Sequence, residues 1–308
     1  MCQGEPVGSP PMAKVPQLIH AGRAELAEGP VWHGDALWWV DINAGTLNRL
    51  DPSAGINTSR GTGGYLGAAV PSADGRWLLA RQHDLSLLDW ETGRFTPVAS
   101  PAEGMSARLR FNDGKCDAAG RFWVGTKSLD QEEGAASLYA LQPTTGIRRV
   151  LQGLSLSNGL AWSPDGGWFY HIDTPTRRVR RFTFDLSAGA LGPGETLLQL
   201  GDQDGWPDGM TCDAEGHLWV ALWSGRAVLR VDGLTGRVLE RCELPVSNVS
   251  SCTFGGPDLR TLFITTAWEG MSETQRQAEP LAGGVFALRT DVPGQPVHLF
   301  RPTPGTPG

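Results

Sequence analysis

Residues 206–221 read Trp-Pro-Asp-Gly-Met-Thr-Cys-Asp-Ala-Glu-Gly-His-Leu-Trp-Val-Ala, two short strand patterns on either side of a glycine turn. Polar turn residues with glycine between two apolar runs predict a β-hairpin. Three other segments repeat this pattern, each with an oxygen-bearing side chain at the position of Asp208. Two more segments fit the frame with a small residue there. The chain therefore has six equivalent positions, which are Glu28, Gly67, Asn112, Asn158, Asp208 and Ser250.

The spacing of these positions predicts the architecture. Consecutive positions are 39 to 50 residues apart, and each unit contains about four short strand patterns. Such periods are typical of β-propellers, in which each repeat forms one four-stranded blade. Helical periodicity is nearly absent. We therefore predict an all-β chain that forms a six-bladed β-propeller, with four-stranded antiparallel blades around a central channel.

The ends of the chain bear on how the ring closes. We predict one domain at residues 16–301, with flexible tails at 1–15 and 302–308 that are rich in Pro, Gly and small residues. The segment Pro16-Gln-Leu-Ile-His-Ala-Gly is expected to add a strand to the last blade, beside Pro296-Val-His-Leu-Phe. A closed ring would leave no exposed sheet edge there.

The composition argues against several classes of function. The 308 residues carry a net charge of −7 without a basic run, which argues against binding the phosphates of nucleic acids. No apolar stretch approaches the roughly 18 residues of a membrane span. The N-terminus lacks the basic and apolar regions of a signal peptide. The five cysteines lack zinc-ligand spacing and favour free thiols in a reducing compartment, so we expect a cytoplasmic protein. A monomer is expected from the size of the chain.

The polar members of the six positions suggest a metal site. In a propeller the inner strands begin at one mouth of the channel, so Glu28, Asn158 and Asp208 should point at a common centre with Asn112 close by. Two carboxylates and two amides make an all-oxygen site of formal charge −2, which matches a hard divalent cation. Ordinary turn chemistry is the competing interpretation, because Asp and Asn often precede Gly in turns. Four such residues in register at strand starts favour the metal site.

Neighbouring residues extend this hypothesis. Arg110 lies two residues before the third position, where a guanidinium can hold a substrate carboxylate or hydroxyl groups. Strand alternation predicts that Asp113 and Lys115 turn away from the ring and pair with each other. A serine nucleophile at Ser157 or Ser250 is not favoured, because neither lies in a Gly-x-Ser-x-Gly elbow.

At these same residues the chain resembles the senescence marker protein/gluconolactonase/regucalcin-like family of metal-dependent lactonases, which are six-bladed propellers. The resemblance covers about residues 16–300, with long motifs in the same order. The main matching motifs are Ala27-Glu-Gly-Pro-Val-Trp-His, Arg110-Phe-Asn-Asp-Gly-Lys, Leu156-Ser-Asn-Gly-Leu-Ala-Trp-Ser and Trp206-Pro-Asp-Gly-Met-Thr-Cys-Asp-Ala-Glu-Gly-His-Leu-Trp-Val-Ala.

The resemblance implies one divalent metal ion bound by Glu28, Asn158 and Asp208. Calcium is the first expectation, and Zn, Mn, Mg and Fe(II) stay open because oxygen ligands accept several ions. The resemblance also implies that Arg110 and Asn112 contact the substrate, with Asn112 near the metal as well.

A further substrate contact is implied in the loop after Gly125-Thr, where the family has an acidic residue. Gapless spacing places it at Asp130, and Glu132 or Glu133 would serve if the loop shifts. Many members have methionine after Gly-Thr, whereas this chain has Lys127, so the fit of the substrate is expected to differ.

The site residues predict a metal-dependent hydrolase, and the resemblance implies that it opens a small-molecule sugar lactone to the corresponding sugar acid. The metal would polarise the carbonyl and activate water. Asp208 is the candidate general base, and activation of the water by the metal alone is the alternative. Two other functions stay open, hydrolysis of another ester or an organophosphate in the same site, and a non-enzymatic calcium-binding propeller.

Overall fold

The computed structural model describes residues 15–101, 105–142 and 145–302. Within these residues, 24 strands form six four-stranded antiparallel sheets. The first strand of each sheet contacts the first strands of its two neighbours, so the sheets form a closed ring. The prediction of a six-bladed β-propeller is therefore confirmed. All but one residue of each predicted tail lies outside the described residues.

Each blade runs from an inner strand beside the channel to an outer strand at the surface. Blade 1 comprises Ala27–His33, Ala36–Asp41, Thr46–Asp51 and Ile56–Gly61. Blade 2 comprises Leu66–Pro71, Trp77–Arg81, Leu85–Leu88 and Phe95–Ala99. Blade 3 comprises Leu109–Cys116, Phe122–Ser128, Ala136–Gln142 and Gly146–Leu154.

The remaining blades follow the same plan. Blade 4 comprises Ser157–Trp162, Trp168–Asp173, Arg178–Asp185 and Ala190–Gln199. Blade 5 comprises Trp206–Cys212, Leu218–Trp223, Ala227–Val231 and Val238–Glu243. Blade 6 comprises Asn248–Gly255, Thr261–Ala267, Val285–Arg289 and the N-terminal strand Gln17–His20. A 3-10 turn at Thr174–Thr176 and a short α-helix at Glu273–Ala278 lie in loops, and no helix in the described ranges is long and apolar enough to cross a membrane.

Ring closure is achieved with a different partner from the one predicted. Gln17–His20 pairs antiparallel with Val285–Arg289, whereas residues 296–300 are not a strand of this blade. The later segment instead runs past several blades, and isolated bridges join Gly294 to blade 5 and Phe300 to blade 2. Prolines at 293 and 296 explain the difference, because proline lacks the N–H that a ladder needs.

Buried aspartates anchor the first hairpin of two blades. Asp117 accepts hydrogen bonds from two amides of its own turn and from the indole N–H of Trp123 at 2.8 Å. Asp213, at the equivalent place in blade 5, accepts from two turn amides and from the indole of Trp219 at 3.0 Å. In each case the carboxylate joins the turn to a tryptophan of the second strand. Part of the chain's high tryptophan content therefore stabilises the fold.

The six inner strands share one irregularity, and it lies at the six positions recognised in the sequence. In every blade the pairing of the first and second strands skips at least one residue of the inner strand, which is a β-bulge. In four blades the position is itself skipped, and in blades 1 and 4 it directly precedes the skipped residues. A bulge interrupts the ladder and changes the direction of a side chain. The ring of equivalent positions is therefore a ring of bulges.

The bulge of blade 2 leaves no room for a side chain. A Cβ atom at Gly67 would lie 2.4 Å from the carbonyl oxygen of Phe111 in blade 3. We expect Gly67→Ala to lower the free energy of unfolding by about 1–3 kcal/mol, because two backbones must move apart. Urea denaturation would measure this. Gly61→Ala is the matched control, because nothing lies within 4 Å of its Cβ position, and a loss of equal size there would contradict the steric argument.

Candidate active site

A cavity of about 330 Å³ lies at the end of the channel where the inner strands begin. Its wall includes Glu28, Asn112, Asn158 and Asp208, each at most 5% exposed. The structure thus brings together the four polar residues that the repeat frame singled out. They come from blades 1, 3, 4 and 5, so the cavity depends on the closed ring.

A chain of hydrogen bonds fixes the two amide side chains. Nη1 of Arg110 donates to Oδ1 of Asn112 at 2.6 Å. Nδ2 of Asn112 donates to Oδ1 of Asn158 at 2.6 Å, and Nδ2 of Asn158 donates to Oγ1 of Thr174 at 2.9 Å. Oγ1 of Thr174 in turn donates to the carbonyl oxygen of Pro207 at 2.8 Å. These bonds leave each amide in one orientation and connect blades 3, 4 and 5.

The two carboxylates lack such partners. Oδ1 of Asp208 is buried without a hydrogen-bond partner among the described residues, and one oxygen of Glu28 accepts only the N–H of Gly29 at 3.0 Å. Burial raises the pKa of Glu28 well above its usual range, and repulsion from Asp208 and Asp113 adds to this. The pKa of Asp208 is raised well above its usual range by burial and by Asp113. Buried acids of this kind are unfavourable unless a cation neutralises them.

The oxygens of Glu28, Asn158 and Asp208 are therefore the atoms that could hold a divalent cation. An orphaned buried oxygen beside a second buried acid fits such an ion. The described residues contain no group of three or more His, Cys, Asp or Glu side chains arranged for a metal, which agrees with an amide as the third candidate ligand.

Residues 26–268 match the family described as SMP-30/Gluconolactonase/LRE-like region. The chain belongs to this family. A relative, 6-deoxy-6-sulfogluconolactonase of Pseudomonas putida, is 36% identical over 278 residues, which cover 89% of this chain and 94% of that protein. Pentonolactonase XacC of Haloferax volcanii is 35% identical over 283 residues, which cover 88% and 93% of the two chains. The crystal structure of a regucalcin from Agrobacterium tumefaciens, described as calcium-binding, matches with a TM-score of 0.89 and 30% identity, covering 94% of this chain and 98% of that one.

Two cationic side chains enter the cavity of this family member. Arg110 is 2% exposed, with its guanidinium carbon 5.7 Å from the ring centroid of Tyr65. Lys127 also lines the cavity, and the backbone register places it directly opposite Arg110. The pKa of Lys127 is lowered by burial first and by Arg110 second. The cavity therefore combines buried acids with a pair of neighbouring cations.

Sequence reasoning missed two further residues of the wall, Thr174 and Glu269. Thr174 orients Asn158, and Oε1 of Glu269 accepts a hydrogen bond from Asn43 at 2.9 Å. Both come just after the end of a second strand. Because second strands run antiparallel to inner strands, their ends meet at the same mouth as the inner-strand starts. That rule was available from the sequence and points to Thr174, which directly follows its strand, whereas Glu269 is the second residue of a long connection.

The loop that should supply an acidic substrate contact is placed differently from the prediction. Asp130 is half-exposed at the surface, where Oδ2 lies 3.1 Å from Nη1 of Arg108, and it does not line the cavity. Its neighbour Gln131 lines the cavity, whereas the exposed residues Glu132 and Glu133 do not. Contact between Asp130 and a substrate stays a prediction.

The prediction that Asp113 and Lys115 face away from the channel is wrong. Both line a smaller cavity of about 80 Å³ further along the channel, and Nζ of Lys115 donates to the carbonyl oxygen of Met210 at 2.8 Å. The bulge between Phe111 and Gly114 breaks the alternation on which the prediction relied. Asp113 therefore lies near the candidate centre and repels both of its carboxylates.

One serine does have a histidine partner, but the pair is not placed for catalysis. Oγ of Ser157 lies 2.8 Å from Nε2 of His171 inside blade 4. Both residues are fully buried and neither lines the cavity. Burial lowers the pKa of His171 to about 3, so the ring stays neutral. A nucleophile must reach its substrate, and the candidate chemistry of this family member therefore rests on the buried carboxylates.

Proposed function

We propose that this protein is a metal-dependent lactonase that opens a sugar lactone to the corresponding sugar acid. The observation that carries the proposal is the pair of buried carboxylates, Glu28 and Asp208, which face an accessible cavity. One oxygen of Asp208 has no hydrogen-bond partner among the described residues. Relatives that match almost the whole chain are named as lactonases of sugar derivatives, which supports the reaction. The cavity volume of about 330 Å³ suits a small ligand rather than a polymer.

The metal would be held by Glu28, Asn158 and Asp208. A divalent cation there supplies Lewis-acid polarisation of a carbonyl oxygen. Calcium is the ion we expect, since the donors are all oxygens and a structural relative is described as calcium-binding. Neutralisation of the two carboxylates also explains how the fold tolerates them at this depth.

The chain's own residues divide the remaining tasks. One oxygen of the Asp208 carboxylate would hold the ion, and the other would accept a proton from the attacking water. Arg110 and Asn112, held rigid by their mutual hydrogen bond, orient the hydroxyl groups of the sugar. Trp206 and Trp223 line the same cavity, where their rings present an apolar face to the sugar and exclude bulk water.

A panel of substrates tests this proposal. A pH-indicator assay would compare aldonolactones, aryl esters and an organophosphate at equal concentration. We expect kcat/KM to be highest for the aldonolactones. A preference for aryl esters or the organophosphate would contradict the sugar-lactone substrate and support hydrolysis of that other class of ester. Tight calcium binding without turnover of any substrate would instead support a non-enzymatic calcium-binding protein.

Thr174 gives a prediction about the candidate ligand Asn158. Thr174→Val keeps the shape of the side chain but removes the hydroxyl that accepts from Nδ2 of Asn158. We expect the affinity for the divalent cation to fall about 10- to 100-fold, as for other residues that orient metal ligands. Isothermal titration of calcium into the metal-free protein measures this. Thr58→Val, on the exposed outer strand of blade 1, is the control, and equal affinities of all three proteins would contradict the role of Thr174.

A further inference from the structure

The cation pair in the cavity is unusual in its placement. Arg110 and Lys127 lie directly opposite each other across an antiparallel pair of strands. Like charges at such positions repel and destabilise the sheet. Both side chains nevertheless point into the same cavity rather than to the surface. Two neighbouring cations in a buried wall need an anion near them.

No acid in the described part of the chain neutralises the pair by direct contact. Within the described residues, Nζ of Lys127 forms no hydrogen bond and no ion pair. Arg110 uses only Nη1, which donates to Phe111 O and Asn112 Oδ1, so its Nε and Nη2 have no partner there. Glu269 is the acid that stabilises both charges most, but its Oε1 accepts from Asn43 instead. The donors of both cations therefore remain available to a ligand.

The charge of the whole wall leads to the same conclusion. The charged residues that line the cavity are Glu28, Asp208 and Glu269 against Arg110 and Lys127. A divalent cation held by Glu28 and Asp208 would more than offset the single excess negative charge. The loaded cavity would then have a net positive charge, concentrated on the Arg110 and Lys127 side.

We propose that the substrate is an aldonolactone that carries an acidic substituent, a carboxylate or a phosphate, which Lys127 and Arg110 bind together. This inference rests on the proposed lactonase function and narrows its substrate class. The lactone carbonyl would face Asp208, and the acidic substituent would take the free donors of the cation pair. Hydrolysis would then release a sugar acid with a second anionic group.

Matched substrates test the inference. Glucono-1,5-lactone is neutral, 6-phosphoglucono-1,5-lactone carries a phosphate and glucaro-1,4-lactone carries a carboxylate. We expect kcat/KM for at least one anionic lactone to exceed that of the neutral lactone about tenfold or more. In Lys127→Met that ratio should fall about 10- to 100-fold, the usual effect of losing a charge-assisted hydrogen bond. Lys127→Arg should keep most of the preference.

Arg108→Met is the control for general electrostatics. Arg108 is exposed and does not line the cavity, so losing its charge should change the ratio less than about threefold because solvent screens it. The inference is overturned if the wild-type protein prefers the neutral lactone, or if Lys127→Met and Arg108→Met change the ratio equally.

A binding measurement separates this inference from the lactonase proposal. Isothermal titration would compare glucarate, which has two carboxylates, with gluconate, which has one. We expect glucarate to bind about tenfold more tightly to the wild-type protein and to lose that advantage in Lys127→Met. If no lactone is hydrolysed, the lactonase proposal fails and this titration alone decides the charge preference. Equal binding of the two sugar acids would refute it.

Discussion

Asp208→Asn is expected to lower kcat for lactone hydrolysis at least about 1,000-fold, the effect of removing a general base that is also a metal ligand. Asparagine keeps the shape of the side chain, so the cavity should persist. The change also removes one of two mutually repelling buried carboxylates. Metal-free Asp208→Asn should therefore unfold at a temperature no lower than the metal-free wild-type protein. Steady-state kinetics and thermal denaturation of the same samples measure both effects.

Asp213→Asn is the matched control in the same blade. Asp213 is also buried, but its oxygens accept from the indole of Trp219 and from Arg230. Asparagine cannot satisfy these partners equally, so we expect stability to fall by about 1–3 kcal/mol with kcat changed only a few-fold. Retention of the wild-type rate by Asp208→Asn would remove that residue from the mechanism. A large loss of stability in Asp208→Asn would instead show that its carboxylate supports the fold.

Chelation is expected to reduce lactonase activity below about 1% of that of the metal-loaded protein, since Lewis-acid stabilisation of the developing oxyanion is worth several kcal/mol. Addition of a divalent ion should restore the activity. Chelation should also lower the unfolding temperature, because an ion at a hundredfold excess over its Kd contributes about 2.7 kcal/mol to stability. Activity before and after dialysis against a chelator, with unfolding curves for each sample, measures these effects.

Glu28→Gln tests whether the metal ion binds at this centre or elsewhere in the protein. The variant loses a candidate ligand, so its unfolding temperature should respond much less to calcium than that of the wild-type protein. Full activity of the chelated wild-type protein would reject the metal mechanism. An equal calcium response in Glu28→Gln would place the ion outside the ring.

The fold and the main site could be predicted because both repeat in the sequence. Glu28, Asn158 and Asp208 stand at one position of a frame that also specifies a turn and a second strand. A closed ring brings equivalent positions together whatever the details of each blade. The cavity could therefore be located before any contact was known.

Two predictions are wrong because the backbone departs locally from a regular strand pattern. The predicted orientation of Asp113 and Lys115 is wrong because a bulge in the inner strand interrupts the two-residue alternation of side chains. The predicted partner of the N-terminal strand is wrong because Phe300 lies in an apolar, strand-like segment that forms isolated bridges to other blades instead. These features depend on pairing between strands, which a single sequence does not display.

The outer part of the site was least predictable. Glu269 lies in a connection that has no counterpart in the repeat frame, and the position of Asp130 depends on how one loop folds. Lys127 departs from the family pattern in the sequence itself, but its position opposite Arg110 follows only from the strand register. Loop conformation and cross-strand register are thus the two properties that the structure added.

The ring of bulges has a consequence for how this protein can change over generations. Side chains at a bulge stand where the ladder is already interrupted, so a substitution there alters the centre at little cost to the sheets around it. Gly67 and Ser250 are the exceptions, because a Cβ atom at Gly67 would strike the next blade and the buried Ser250 donates from Oγ to the carbonyl oxygen of Ala27 in blade 1. Substitutions at the other four positions can therefore change the chemistry of the centre while the propeller fold is kept. A combinatorial library confined to these four positions should yield mostly folded proteins with altered centres.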